Sequence, residues 1–183
     1  MTATKATALL EQEHQTIQKV IAKMSIIADR LETGGYENAS VLRDISAFLR
    51  QFSEECHHVK EEKCLFPLLE ERGVPASGCP IAVLHHEHEK GHALLAQLND
   101  AIQVFVASGA GRETLVTTLR ALVSLYVDHI WKENYLLLPM ADKVLSEHDH
   151  AELCEQFDAV EAELGAGKHQ QLELLSARLE QVP

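Results

Sequence analysis

The chain carries one metal-ligand phrase twice. His57-His58-Val59-Lys60-Glu61-Glu62 runs on to Leu65-Phe66-Pro67-Leu68, and His129-Ile130-Trp131-Lys132-Glu133-Asn134 runs on to Leu137-Leu138-Pro139-Met140. In each copy the first His is followed by Lys at +3, Glu at +4, Leu at +8 and Pro at +10. A shorter echo lies upstream of each, Glu13-His14 and Glu87-His88, offset by 74 residues against 72 for the longer phrase. On a helix, His and Glu four residues apart share one face with their Cβ atoms about 5–6 Å apart, a spacing that suits one metal ion. Two such pairs facing each other suit two. The repeat predicts two helical hairpins related by a pseudo-twofold axis, with these side chains meeting between them.

The elements that must position them are legible in the apolar pattern. From about Lys5 to Glu32, inward residues fall at 10, 14, 17, 21, 24, 28 and 31, the alternating spacing of a helix packed in a bundle. Gly34-Gly35 ends it. A second helix is predicted from about Asn38 to Arg72, closing at Gly73-Val74-Pro75, with Pro67 bending or ending it. Its stripe through Ile45, Leu49, Phe52 and Cys56 is rotated by roughly 120° from His57, which a broad face touching two neighbours would reconcile. A third, about Pro80 to Ser108, has Ile81, Leu84, His88, Gly91, Leu95, Leu98, Ile102 and Phe105 in register. A fourth, from about Arg112, carries Leu115, Leu119, Leu122, Tyr126, His129, Glu133, Leu136 and Met140. These predict an all-α, up-down-up-down four-helix bundle over residues 1–146. Residues 147–183, broken by Gly165-Ala166-Gly167, read as a short C-terminal helical extension packed on or beside it.

Composition narrows the function classes. With 16 basic against 28 acidic residues the formal charge is −12, which argues against nucleic acid and anionic membranes as partners. No apolar run of about 18 residues is present and no signal peptide is visible, so a cytoplasmic protein is expected. Cys56, Cys64, Cys79 and Cys154 show no C-x-x-C spacing and read as reduced thiols.

The six inward candidates are His14, His57, Glu61, His88, His129 and Glu133. Four imidazoles and two carboxylates match the ligand preferences of iron, manganese or zinc and not an all-oxygen calcium cage. A single His on an apolar face is ordinarily a satisfied core residue. Six groups in register, repeated at matching spacing, point to metal, because unpaired carboxylates in a bundle seam would each cost several kcal/mol. Each Glu is assigned as a bridge between two cations.

Together, Glu13-His14, His57-x-x-x-Glu61-Glu62-x-x-Leu65-Phe66-Pro67, Glu87-His88 and His129-x-x-Lys132-Glu133-Asn134 resemble the hemerythrin-like, HHE cation-binding family over about residues 5 to 145. The resemblance implies a four-helix bundle with two iron ions in an oxo- or hydroxo-bridged centre that meets dioxygen, nitric oxide or peroxide. Manganese or zinc is the lesser alternative. The six candidates fall on the family's ligand positions. Oxygen-carrying members have a His pair four apart on the third helix; here the first of those positions is Leu84. The chain thus resembles the four-His, two-Glu branch, which includes proteins linked to nitrosative stress and to repair of iron centres. Simple reversible oxygen carriage is put in doubt.

Other residues carry weaker expectations. His92, four residues after His88, is a candidate fifth ligand, with a supporting polar role as the plainer account; His85 is a weaker candidate. His58 is expected to face outward, and His148, His150 and His169 to be solvated in the tail. Cys56 and Cys64 read as buried apolar side chains before any redox role, and Tyr126 and Tyr135 as packing aromatics. Glu62 is expected to face solvent or lysines, and a solvated face suffices for Lys60 and Lys132.

The leading functional expectation is a stress-response di-iron protein that binds and reduces a small diatomic or peroxide ligand. Peroxidase-like, catalase-like or nitric-oxide-reducing turnover would depend on an electron supply that no motif identifies. The alternative is a non-catalytic iron or oxygen sensor, or an iron-handling module, that signals to a redox or signalling protein partner through the extension. Repair proteins often carry an extra N-terminal cysteine module, and this chain starts twelve residues before Glu13 of its first His motif. That start argues against the repair assignment without removing it.

Overall fold

The computed structural model describes residues 5–77 and 80–182, and within them every regular element is helical. Helix α1 spans Ala6–Glu32, α2 is continuous over residues 39–71, α3 spans Ile81–Ser108 and α4 is continuous over residues 112–144. Two shorter helices follow, α5 (Glu147–Leu164) and α6 (Lys168–Gln181). Helix α1 packs on α4, α4 on α3, α3 on α2 and α2 on α1, which closes the four-helix bundle. Cys79 lies outside the described residues.

Helices α1 and α3 bury the stripes their sequences carry, from Leu10 through Leu31 and from Ile81 through Phe105. Gly109, with φ of +71°, ends α3 in the left-handed conformation that glycine adopts without a Cβ penalty. Helices α2 and α4 depart from simple periodicity, and π-helical turns are the reason. They occupy Leu49–His57 and Glu61–Leu65 in α2, and Glu133–Leu137 in α4. Each wider turn accommodates an extra residue and advances the buried stripe. In α4 the stripe therefore moves to Leu137 and Ala141, both fully buried, while Leu136 is 40 % exposed, contrary to the regular spacing read from sequence. In α2 the same device brings Cys56 and His57 inside together, so no unusually broad face is needed.

Pro67 does not end its helix, which runs on to Glu71. Pro67 and Pro139 both sit at the first positions of the α-helical turn that follows a π segment. A missing N–H is tolerated at the start of a turn.

Two apolar clusters fill the bundle. One includes Ile17, Phe52, Leu95, Leu122 and Tyr126; the other includes Leu10, Cys56, Leu65, Leu84 and Leu137. In α1 and α3 the candidate ligand falls between the two, and in α2 and α4 the candidate ligands lie where the two meet. Helices α5 and α6 pack against α1 and α2. Leu153 and Phe157 join the second cluster, and Leu172 and Leu179 the first. The start of α5 is fixed by reciprocal capping between Ser146 and Asp149, and Arg72 at the end of α2 grips the same carboxylate at 2.5 Å. No helix among the described residues is long and apolar enough to cross a membrane.

Candidate metal centre

Each helix of the bundle presents its histidine to the interior with Nε2 foremost. His14 and His57 bring their Nε2 atoms to 3.0 Å, and His88 and His129 bring theirs to 3.1 Å. The carboxylates of Glu61 and Glu133 lie between the two pairs. Glu61 sets Oε1 3.7 Å from His57 Nε2 and Oε2 3.5 Å from His88 Nε2. Glu133 sets Oε2 3.1 Å from His14 Nε2 and Oε1 3.1 Å from His129 Nε2. Each carboxylate thus offers one oxygen to each histidine pair. The donor atoms converge as two overlapping groups, His14/His57/Glu61/Glu133 and His88/His129/Glu61/Glu133, each within 4.8 Å. All six residues are buried.

What the histidines do at their far edge decides what the centre can hold. His57 Nδ1 donates to Glu13 at 2.8 Å, His88 Nδ1 to Glu62 at 2.6 Å, and His129 Nδ1 to Glu87 at 3.1 Å. His14 Nδ1 lies 2.6 Å from Asn134 Oδ1. An ionised carboxylate only accepts, so Nδ1 carries the hydrogen and a neutral ring turns a bare Nε2 lone pair inward. The four carboxylate oxygens of Glu61 and Glu133 have no hydrogen-bond donor among the described residues. Four nitrogen lone pairs and four carboxylate oxygens therefore face one another in a buried core. Only cations, or protons in their place, can relieve that. The residues fit a pair of metal ions.

The electrostatics of the chain agree. Burial opposes a charge on His88 and His129, yet the facing carboxylates prevail and lift their pKa values to about 9 and about 10. His14 is raised in the same way, against burial, by Glu133 and Glu61. Burial alone would raise Glu133, but His129 and His14 hold it well below the carboxylate range. The centre is built to attract positive charge.

The supporting groups repeat with the ligands. Glu13 accepts from His57 and from Lys60 Nζ at 2.5 Å; Glu87 accepts from His129 and from Lys132 Nζ at 2.6 Å. The glutamate preceding each first-motif histidine therefore orients the histidine of the neighbouring helix, and the lysine at +3 steadies that glutamate. Lys60 is 1 % exposed and also reaches Glu161 of α5 at 2.6 Å, which corrects the expectation of a solvated face. Glu62 faces His88 Nδ1 rather than solvent, because the next residue along from a ligand still lies over the α2–α3 contact. Both copies carry the Glu and the Lys, so the repeat was itself the signal for these roles.

Three histidines also depart from the sequence reading. His58 is buried, with its ring stacked on His88 at 3.8 Å between centroids and 10° between planes. The π turn ending at His57 carries it inward, and burial pushes its pKa well below the usual imidazole value. His169 of α6 packs on Phe52 and donates to Glu13 at 2.9 Å, and His150 is buried at the base of α5, since the extension folds back on the bundle. His148 is exposed. His92 is about half exposed with Nδ1 2.9 Å from Glu54, and His85 lies 3.8 Å from Glu62; neither enters the converging groups. Burial pushes the Cys56 thiol up to about 12, which leaves it an unreactive core side chain. Tyr126 is buried, while Tyr135 is two-thirds exposed against Trp131.

Comparison with known proteins agrees with this construction. An uncharacterized protein of Mycobacterium tuberculosis is 24 % identical over 150 residues, covering 81 % of this chain and 58 % of that protein. The iron-sulfur cluster repair protein YtfE of Edwardsiella ictaluri is 28 % identical over 143 residues, covering 73 % of this chain and 62 % of its own length. The YtfE protein of an Enterobacter strain is 26 % identical over 139 residues, 73 % of this chain and 63 % of that one. The chain thus spans about three fifths of the length of these curated relatives. The family model of the hemerythrin HHE cation binding domain matches residues 5–141, which take in α1, α2, α3, α4 as far as Ala141 and all six converging candidate ligands. By that match the chain belongs to the hemerythrin HHE cation-binding domain family.

Proposed function

We propose that this protein holds two iron ions and uses them to bind, and with an electron donor to reduce, a small ligand of the dioxygen, nitric oxide or peroxide class during stress. The observation that carries the reading is the pair of carboxylates, Glu61 and Glu133, each directing one oxygen to each histidine pair. His14 and His57 would hold one cation and His88 and His129 the other, with Glu61 and Glu133 shared between them, a donor set small enough to admit an incoming ligand. Iron, when bound, supplies one-electron redox chemistry at those positions. The protein's own part is orientation and exclusion of water. Glu13, Glu62, Glu87 and Asn134 hold the four rings by their Nδ1 edges, and the flanking apolar clusters keep the centre dry.

A second reading is favoured by the YtfE relatives, whose name assigns them to iron-sulfur cluster repair. On it, the centre stores or delivers iron. The two readings separate in one experiment on the iron-loaded protein. Anaerobic nitric oxide or peroxide should produce a ligand-dependent charge-transfer band while iron stays bound. Iron that passes readily to an apo iron-sulfur acceptor, with no optical response to either ligand, would favour iron handling instead.

A further inference from the structure

The two halves of the centre are alike in their ligands and unlike in their surroundings. On the His14/His57 side the extension closes over the supporting groups. Glu13 receives His169 from α6 in addition to His57 and Lys60, and Lys60 is tied to Glu161 of α5. On the His88/His129 side Glu87 receives only His129 and Lys132 among the contacts the structure records. A cavity of about 10 Å³, room for one water-sized molecule, opens there between α3 and α4. It is lined by Glu87, His88, Gly91, Leu125, Tyr126 and His129, and by His58.

His58 is the anomaly of this cavity. It is 4 % exposed, and neither ring nitrogen has a hydrogen-bond partner among the described residues. Buried imidazole nitrogens without partners are costly and uncommon. Its repeat counterpart, 72 residues on, is Ile130, so the other half offers no such group. One donor atom each of His58, His88 and His129 lies within 4.8 Å of the others. Because His58 lies flat on the face of His88, its nitrogens are displaced from the plane in which His88 points at the centre. Both rings line the cavity, where an imidazole can meet a guest molecule.

We infer that the small ligand enters on the His88/His129 side and is received by His58, which positions it by a hydrogen bond and is not itself a metal ligand. The guest is a small anion or diatomic with a terminal oxygen or nitrogen able to pair with an imidazole. Tyr126, its ring 6.3 Å from His58 and nearly parallel, backs the imidazole and keeps it in this orientation. The inference rests on the di-iron reading proposed above.

The test uses azide as probe on the full chain loaded with iron and oxidised, reading iron per chain and the azide charge-transfer titration separately. His58→Leu should keep two irons and weaken azide by about tenfold or more, the cost of a lost hydrogen bond to a charged group. His58→Gln, which restores a donor, should recover part of that loss. Unchanged azide affinity in His58→Leu overturns the role, and loss of one iron per chain overturns it in favour of direct ligation. Should His58→Leu lose its helical signal, Gly91→Ala decides. A Cβ there meets nothing nearer than Leu125 Cδ2 at 3.7 Å, so the variant folds while narrowing the cavity. It should keep two irons and bind azide more weakly; wild-type affinity would overturn the entry side. Wild-type protein with two irons and no azide response would instead sink the small-ligand reading itself, and this assignment with it.

Discussion

Glu61 and Glu133 occupy the places where a bundle should have apolar seam residues, and their four oxygens find no donor among the described residues. A residue placed at such cost must be answered by a cation. Changing Glu133 to Ala should therefore lose at least one metal per chain, read by elemental analysis of the desalted protein; retention of two would remove its bridging role. The supporting carboxylates act by orientation. Glu87→Gln should leave both metals bindable but weaken affinity by about 10- to 100-fold in a chelator competition. No change would make the Glu87–His129 contact incidental. At this scale the repeat exposed the six candidate ligands, which the structure brings together, because their spacing matches a helical face twice. His58 was hidden for the opposite reason. A residue 100° from a ligand reads as outward on a regular helix, and no regular helix passes through His57.

At the scale of elements, the π turns beginning at Glu61 and Glu133 explain why each repeat has Leu at +8 and Pro at +10. The wider turn resets the register, Leu65 or Leu137 enters the core, and proline begins the next turn. Apolar spacing identified all four long helices, but it assumes 3.6 residues per turn and so misplaced Leu136, while Met140 packs partly buried against the second cluster. Helix α5 is held by its cap and by the buried side chains of Leu153 and Phe157. Phe157 is 1 % exposed, and Phe157→Ala should cost about 3–5 kcal/mol in chemical denaturation. A loss below about 1 kcal/mol would mean the extension is only loosely docked. Asp149 is held below the usual carboxylate range by Arg72 first and then by the Ser146 cap. Its folded pKa is depressed, so its stabilisation is present above the ordinary value of about 4 and is lost as pH falls through and below it. The melting-temperature gap between wild type and Asp149→Asn should accordingly be widest near neutral pH and shrink toward pH 3. A gap independent of pH would contradict this.

For the molecule as a whole, a doubled hairpin builds a nearly symmetric cage, and the C-terminal helices make its two halves different. The extension was visible in the sequence as amphipathic segments, but its histidines looked solvated because nothing local reveals that α6 returns to α1 and α2. That contact is long-range, and it brings His169 to Glu13 across 156 positions of chain. Function at this scale depends on how many cations the cage holds. Protein loaded anaerobically with iron(II), desalted and measured for iron against chain concentration should contain two irons per chain. One iron per chain, or none retained while zinc binds as a single ion, would contradict a centre in which two carboxylates serve two histidine pairs.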